Sequence, residues 1–209
     1  MEQRDPEEIL QEAVDIKDFF GHCSLANTIT ASSAEGHEEI FSVNQYTGLQ
    51  LVGKTKSQVY TLLEENMQEM YIASGWGWEE ESKRKELFHA SSRFLVVTDS
   101  KNKVAAFTMF RFEWDDEDEP EYPVLFLYEI QVHEDHRAKS LGRVLINYLK
   151  TISSTVGTTK ILLTCFKANT KALRFYEKNG FGIDANSPSA CGFTEETYEL
   201  LSDKPMKKR

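Results

Sequence analysis

Apolar positions recur along the chain with two different periods, and the change of period divides it. Over residues 6–20, Ile9, Leu10, Ala13, Val14, Ile16 and Phe20 form an approximate helical stripe behind Pro6, which suits a first helical turn. Residues 21–37 are rich in Ser, Thr, Asn, Gly and Ala and read as irregular, and 39–43 reads as a short strand. Over 57–73, Val59, Leu62, Leu63, Met67, Met70 and Tyr71 return to helical spacing. A highly charged helix is expected at 79–89.

From residue 93 the pattern becomes that of strands. Residues 93–98 and 104–114 flank the turn Asp-Ser-Lys-Asn-Lys and read as a hairpin. Residues 124–132 are nearly continuous apolar and aromatic, as in a central strand. A helix follows at 141–156, with Leu141, Val144, Leu145, Tyr148, Leu149 and Ile152 on one face. Residues 160–166 read as a buried strand, 169–179 as a helix stopped by Gly180, and 181–184 and 197–201 as closing strands. Helices, then a hairpin, then strand–helix–strand–helix–strand imply a mixed α/β sheet with a parallel crossover in its C-terminal half.

Composition narrows the class little. The chain of 209 residues is 40% hydrophobic and 28% charged, ordinary for a folded domain. No apolar run is long enough to span a membrane, and the start MEQRDPEEIL lacks the pattern of a secretory signal. Cys23, Cys165 and Cys191 are too scattered for a disulfide framework or a zinc site, so no metal is expected. A net charge of −10 argues against binding nucleic acid through its phosphates and favours a cationic partner.

Two segments carry chemistry. Arg137-Ala138-Lys139-Ser140-Leu141-Gly142 joins the apolar strand to the helix, and the exposed N–H groups of a helix start bind phosphate readily. Arg137 and Lys139 add positive charge there. About thirty residues on comes Asn169-Thr-Lys-Ala-Leu-Arg-Phe-Tyr-Glu-Lys-Asn-Gly-Phe181. Asn169 and Tyr176 are seven apart, on one helical face.

In this order the two segments resemble motifs A and B of the GNAT superfamily, Arg/Gln-x-x-Gly-x-Gly/Ala and N-x-x-A-x-x-F-Y-x-x-x-G-F. The first glycine of motif A is Ser140 here. The resemblance implies the GNAT fold, an α/β architecture whose mostly antiparallel central sheet has a splayed parallel pair and flanking helices. It implies acetyl-CoA as cofactor, held by Gln131, Val132, Arg137, Ala138, Lys139, Ser140, Leu141, Gly142, Asn169 and Tyr176. Further strings, Asn66-Met-Gln-Glu-Met-Tyr71, Ser74-Gly-Trp-Gly-Trp78, Phe110-Arg-Phe112, Tyr128-Glu-Ile-Gln131, Leu163-Thr-Cys-Phe-Lys167 and Ser187-Pro-Ser189, are similar to the NatD type, the N-terminal acetyltransferases of histone H4 and histone 2A. This likeness covers about residues 55–201. Residues 1–50 read as a helical and irregular extension packing on a catalytic domain at 51–203, with a basic tail at 204–209.

What the NatD likeness implies can be placed on this chain. Glu129 is the glutamate of the active centre, and Tyr176 the second catalytic residue. Trp76, Glu113, Asp115, Tyr128, Glu129, Thr164 and Tyr198 surround the peptide. Phe126 stands where the family has a tyrosine, which removes one hydroxyl. The implied partners are the N-terminal tails of histone H4 and histone 2A, met in nucleus and cytoplasm without an auxiliary subunit, a membrane or direct nucleic-acid contact.

The residues fit that chemistry independently. A peptide α-amine has a pKa near ~8 against ~10.4 for lysine, so one carboxylate suffices as its base. Glu129 sits within an apolar strand, where burial raises its pKa. Backbone N–H groups near Gln131 and Val132 would meet the developing oxyanion, and Tyr176 the departing sulfur. Residues 113–121 hold seven carboxylates in nine positions, either a lure for cationic tails or a solvated hairpin loop. Trp76 and Trp78 could serve as core anchors. Two rival functions stay open: acetylation of lysine side chains or a small amine, and a non-catalytic acidic module that binds histones.

Overall fold

A computed structural model describes residues 4–32, 38–116 and 122–204. Most of the acidic run at 113–121 and of the basic tail at 204–209 therefore lies outside the described residues. No helix among those described is long and apolar enough to cross a membrane.

Eight strands form one sheet in the order β1-β2-β3-β4-β5-β6-β8-β7. They are β1 (Thr28–Ser32), β2 (Glu38–Thr47), β3 (Arg93–Thr98), β4 (Val104–Trp114), β5 (Pro123–Val132), β6 (Ile161–Phe166), β7 (Gly182–Ile183) and β8 (Tyr198–Ser202). Neighbours are antiparallel except β5 and β6, which are parallel. Helices α1 (Pro6–Asp15), α2 (Phe19–His22), α3 (Gly53–Ala73), α4 (Glu80–Leu87), α5 (Leu141–Val156) and α6 (Thr170–Lys178) cover its two faces. One core lies between the sheet and α1, α2, α5 and α6, and a second between the sheet and α3 and α4. The stripe on α5 predicted from the sequence is the centre of the first: Val144 and Tyr148 pack partly buried against that core, and Leu141, Leu145, Leu149 and Ile152 are buried. Each such side chain stabilises the fold by roughly 1.5–3 kcal/mol.

Two expectations for the N-terminal region change. The helix read over 6–20 stops at Asp15, and α2 begins separately at Phe19. Asp18 causes the break: its carboxylate accepts a hydrogen bond from the N–H of Phe20 at 3.0 Å, an N-cap within the predicted helix. The segment read as irregular contains β1, whose Ile29 and Ala31 turn inward in alternation. The strand read at 39–43 extends to ten residues. Residues 1–50 thus supply two strands of the sheet as well as helices.

The feature that makes a site is in β5. Met109 of β4 pairs with Glu129, and the next residue, Phe110, pairs with Leu127. Tyr128 is therefore an extra residue, a β-bulge. Strict alternation would place Glu129 beside Leu127 on the α5 face. The bulge shifts that count by one, so Leu125, Leu127, Ile130 and Val132 share the α5 face. Tyr128 joins the α3 and α4 core, and Glu129 and Gln131 turn to the same side.

β6 leaves β5 at the same point. Their register runs only over Leu125–Leu127 against Ile161–Leu163. Past it the strands splay, and one edge of β5 is released. Before the bulge the N–H of Leu125 reaches the carbonyl of Lys160 at 3.1 Å, on the β6 side. After it the N–H of His133 reaches Ala105 of β4 at 2.9 Å. Alternation then directs the N–H groups of Ile130 and Val132 into the gap, and that of Gln131 toward β4.

Candidate active site

A cavity of about 800 Å³ occupies the splay. Its walls come from α3, α4, the released half of β5, the end of β6, the turn before α5, and α6. Glu129 lines it and is 7% exposed, its carboxylate accepting from the Gln131 amide at 2.8 Å. Burial is the main influence on this carboxyl and lifts its pKa to about 7, against the opposing pull of the Gln131 amide and the Lys83 ammonium. Tyr71, Tyr128 and Tyr176 also line the cavity, and burial raises all three phenols above their usual range. They stay protonated donors at neutral pH.

The expected substrate residues divide. Trp76, Tyr128 and Thr164 line the cavity with Phe126. Trp76 is 48% exposed and packs edge-on against Tyr71, Phe166 and Tyr198, with centroids 6.1, 5.0 and 5.3 Å apart. Tyr198 thus supports Trp76 from behind. Trp78 is instead a member of the α3–α4 core. Glu113 stands outside the cavity wall and accepts the hydroxyl of Tyr128 at 3.0 Å, with Arg111 3.7 Å away. Asp115 is also not among the residues that line the cavity. Its carboxylate accepts from the N–H of Tyr122 at 2.9 Å, because it sits where β4 and β5 join and its acceptor closes that hairpin.

The turn before α5 has the features expected of an anion site. Ala138 and Ser140 adopt left-handed backbone angles, φ 63° and 61°, and α5 starts at Leu141 with no side-chain cap. Its first N–H groups have no intrahelical partners, and Ser140, Leu141 and Gly142 line the cavity. Gly142 packs closely: a Cβ there would lie 3.2 Å from the ring of Phe175, which would have to give by a few tenths of an ångström. Arg137 donates to the carbonyl of Val132 at 3.3 Å and to Asn66 at 2.6 Å. Lys139 is not among the residues that line the cavity. Its ammonium is paired with Glu39 of β2 at 2.6 Å and lies near His136, on the far side of the turn from the cavity. A partner from a strand a hundred residues earlier takes the charge that the sequence offered to a phosphate.

On α6, Asn169 is the N-cap: its side-chain oxygen accepts from the N–H of Ala172 at 3.1 Å, which leaves its amide nitrogen for the cavity. Tyr176 is buried against Phe175 and Phe181 and lines the cavity opposite β5. Sequence reasoning missed Asn66, Tyr71, Lys83, Glu86 and Ile130 as lining residues. Lys83 and Glu86 form an ion pair at 2.6 Å, and Lys83 also donates to the hydroxyl of Tyr71 at 2.9 Å. On a helix with so many charges, nothing in the spacing marks those two.

The comparison that decides the family is with the acetyltransferase (GNAT) family, whose profile matches residues 58–181, more than half of the chain. The chain belongs to the GNAT family. Solved structures agree on the fold. The GNAT domain of PAT from S. lividans superposes with a TM-score of 0.58 at 11% identity, covering 84% of this chain and 95% of that one. The PaiA N-acetyltransferase of Thermoplasma acidophilum, in complex with coenzyme A, gives 0.55 at 14% identity, over 78% and 98%. A GNAT acetyltransferase of Listeria monocytogenes gives 0.54 at 15% identity, over 86% and 100%.

GNAT proteins use acetyl-CoA, and the residues present fit it. The uncapped start of α5 and the left-handed turn suit a pyrophosphate. The N–H groups of the splayed edge lie where an amide-bearing arm could continue the sheet. Among the described residues no group of three or more His, Cys, Asp or Glu is placed to hold a metal ion.

Proposed function

We propose that this GNAT enzyme acetylates the N-terminal α-amine of histone-like chains that begin Ser-Gly-Arg-Gly-Lys, with Glu129 as general base. The observation that carries the reading is the position of Glu129. It is a buried carboxyl with a pKa of about 7, in the same cavity as the released edge of β5 and the start of α5.

Magnitudes favour an α-amine over a lysine. A base of pKa about 7 takes a proton from an α-amine about one unit uphill, and from a lysine about three and a half units uphill, roughly 1.4 against 4.6 kcal/mol. The rim adds a second preference. The net charge of −10 and Glu113 beside Tyr128 suit a cationic peptide.

Acetyl-CoA supplies an activated acyl carbon. The N–H groups of Val132 and Ile130 are available to the charge that develops on the acyl oxygen. Gln131 holds Glu129 in place. The Tyr176 hydroxyl is available to protonate the departing sulfur, a modest aid since a thiolate of pKa ~8.5 leaves without much help. Trp76, Tyr128, Thr164 and Phe126 shape the peptide entrance. Histone H4 and histone 2A are the expected partners, modified in nucleus and cytoplasm without an auxiliary subunit.

The test uses acetyl-CoA with a Ser-Gly-Arg-Gly-Lys peptide, free or blocked at its α-amine. Turnover of the free peptide alone is expected. Equal turnover of the blocked peptide would replace this reading with lysine acetylation, and binding without turnover would replace it with a histone-binding module.

A further inference from the structure

The side chain of Glu129 is the last member of a hydrogen-bonded row that starts in the phosphate turn. Arg137 donates from Nη2 to Oδ1 of Asn66 at 2.6 Å. Asn66 donates from Nδ2 to Oε1 of Gln131 at 3.0 Å, and to the carbonyl of Val132 at 3.4 Å. Gln131 donates from Nε2 to Oε2 of Glu129 at 2.8 Å. Three elements contribute: α3 brings Asn66, β5 brings Gln131 and Glu129, and the turn before α5 brings Arg137.

The row has a direction. A guanidinium has five donors and no acceptor, so Arg137 fixes Asn66 with its oxygen outward. Asn66 must then present its NH₂ to Gln131, and Gln131 must present its NH₂ to Glu129. An amide without such a neighbour could rotate by half a turn and offer its oxygen instead, which would favour the protonated acid.

We propose that Asn66 is a positioning residue that holds the Gln131 amide as a donor to Glu129, and so ties the ionisation of the base to the arginine of the cofactor turn. The proposal rests on Glu129 being the base. The other charged or titratable groups around Glu129 are Lys83 and Glu86 of α4, Tyr71 of α3, Cys165 of β6 and Tyr176 of α6. Lys83 favours the carboxylate and Glu86 opposes it. Neither fixes the orientation of Gln131, and the row alone does so.

The experiment follows the Glu129 carboxyl by carbon NMR in the cofactor-free protein, assigned against Glu129→Gln, beside pH profiles of kcat/KM. Asn66→Ala is expected to move the Glu129 midpoint upward by about half a unit to one unit, which costs about three- to tenfold in rate at pH 6 and almost nothing at pH 9. Gln131→Met should move it at least as far, and adding Asn66→Ala to Gln131→Met should move it no further. Asn66→Leu keeps the size while removing the donor without adding a charge, and should reproduce the shift if the alanine variant folds poorly. An unchanged NMR midpoint, or a double variant that shows the sum of the single shifts, overturns the proposal. A midpoint that moves while the acid limb of the rate profile stays put leaves the row standing and removes Glu129 as the base.

Discussion

The two halves of β5 differ in what surrounds them, although both read as apolar strand. Below the bulge, Leu125–Leu127 are bonded to β4 on one side and β6 on the other, with Leu125 and Leu127 buried in the α5 core. Above it, β5 keeps β4 but loses β6, and its inward positions on the other face are Glu129 and Gln131. The lower half is paired on both edges and contributes stability. The upper half keeps backbone donors unused and a buried acid at raised pKa, which oppose stability and make chemistry possible. One extra residue, Tyr128, separates the two.

This contrast can be tested from both sides. In the upper half, Glu129→Gln should lower turnover by roughly 10²–10⁴-fold with little change in affinity for CoA, measured by steady-state kinetics and calorimetry. The same variant should be more stable at alkaline pH. The folded pKa of Glu129 is raised, so stability is highest below the unfolded value of 4.5 and is lost as pH rises toward 7. Above pH 7 the loss is constant at roughly 3 kcal/mol, and removing the charge should recover up to that amount in denaturant unfolding at pH 8.

The lower half should behave in the opposite way. Leu127→Ala is expected to cost about 2–5 kcal/mol in the same unfolding assay, while activity per folded molecule is retained. A large loss of kcat in folded Leu127→Ala protein would erase the division between halves. The pH profile of kcat/KM should fall about tenfold per unit below pH 7 in the wild type, as Glu129 gains its proton, and in Glu129→Gln that limb should give way to one set by the substrate amine near ~8. The smallest effect is expected at the turn. Ser140→Gly removes a left-handed serine, which costs about 1–2 kcal/mol, so the variant should unfold at higher denaturant while CoA binding in a titration changes little.

Much of the fold was legible because its long elements are strongly periodic. The bounds expected for β3, β4 and α5 coincide with those found. The parallel pair of the sheet followed from a strand–helix–strand order. Where the reading failed, a local contact outweighed the period. Asp18 capped a new helix within a continuous apolar stripe, and β1 offered two inward residues among small polar ones. The site was legible as residue types but not as directions. Glu129, Gln131, Asn169 and Tyr176 were identified from their motifs, and all four line the cavity. That Glu129 faces α3 instead of α5 depends on a register shift between two strands, which no single segment encodes. Lys139 and Asp115 have the right charge in the right neighbourhood and point elsewhere, because Glu39 and the N–H of Tyr122 hold them.

The released edge of β5 has a consequence for how such a protein can diversify. Every amino acid except proline carries a backbone N–H, so almost no replacement of a side chain erases the row of N–H groups at Ile130 and Val132. The components that handle the acyl donor are thereby shielded from most point changes. Trp76, Phe126, Tyr128 and Thr164, which line the same cavity, are ordinary side chains, free to be exchanged one at a time. A lineage built on this plan can acquire new acceptors while inheriting its donor unchanged.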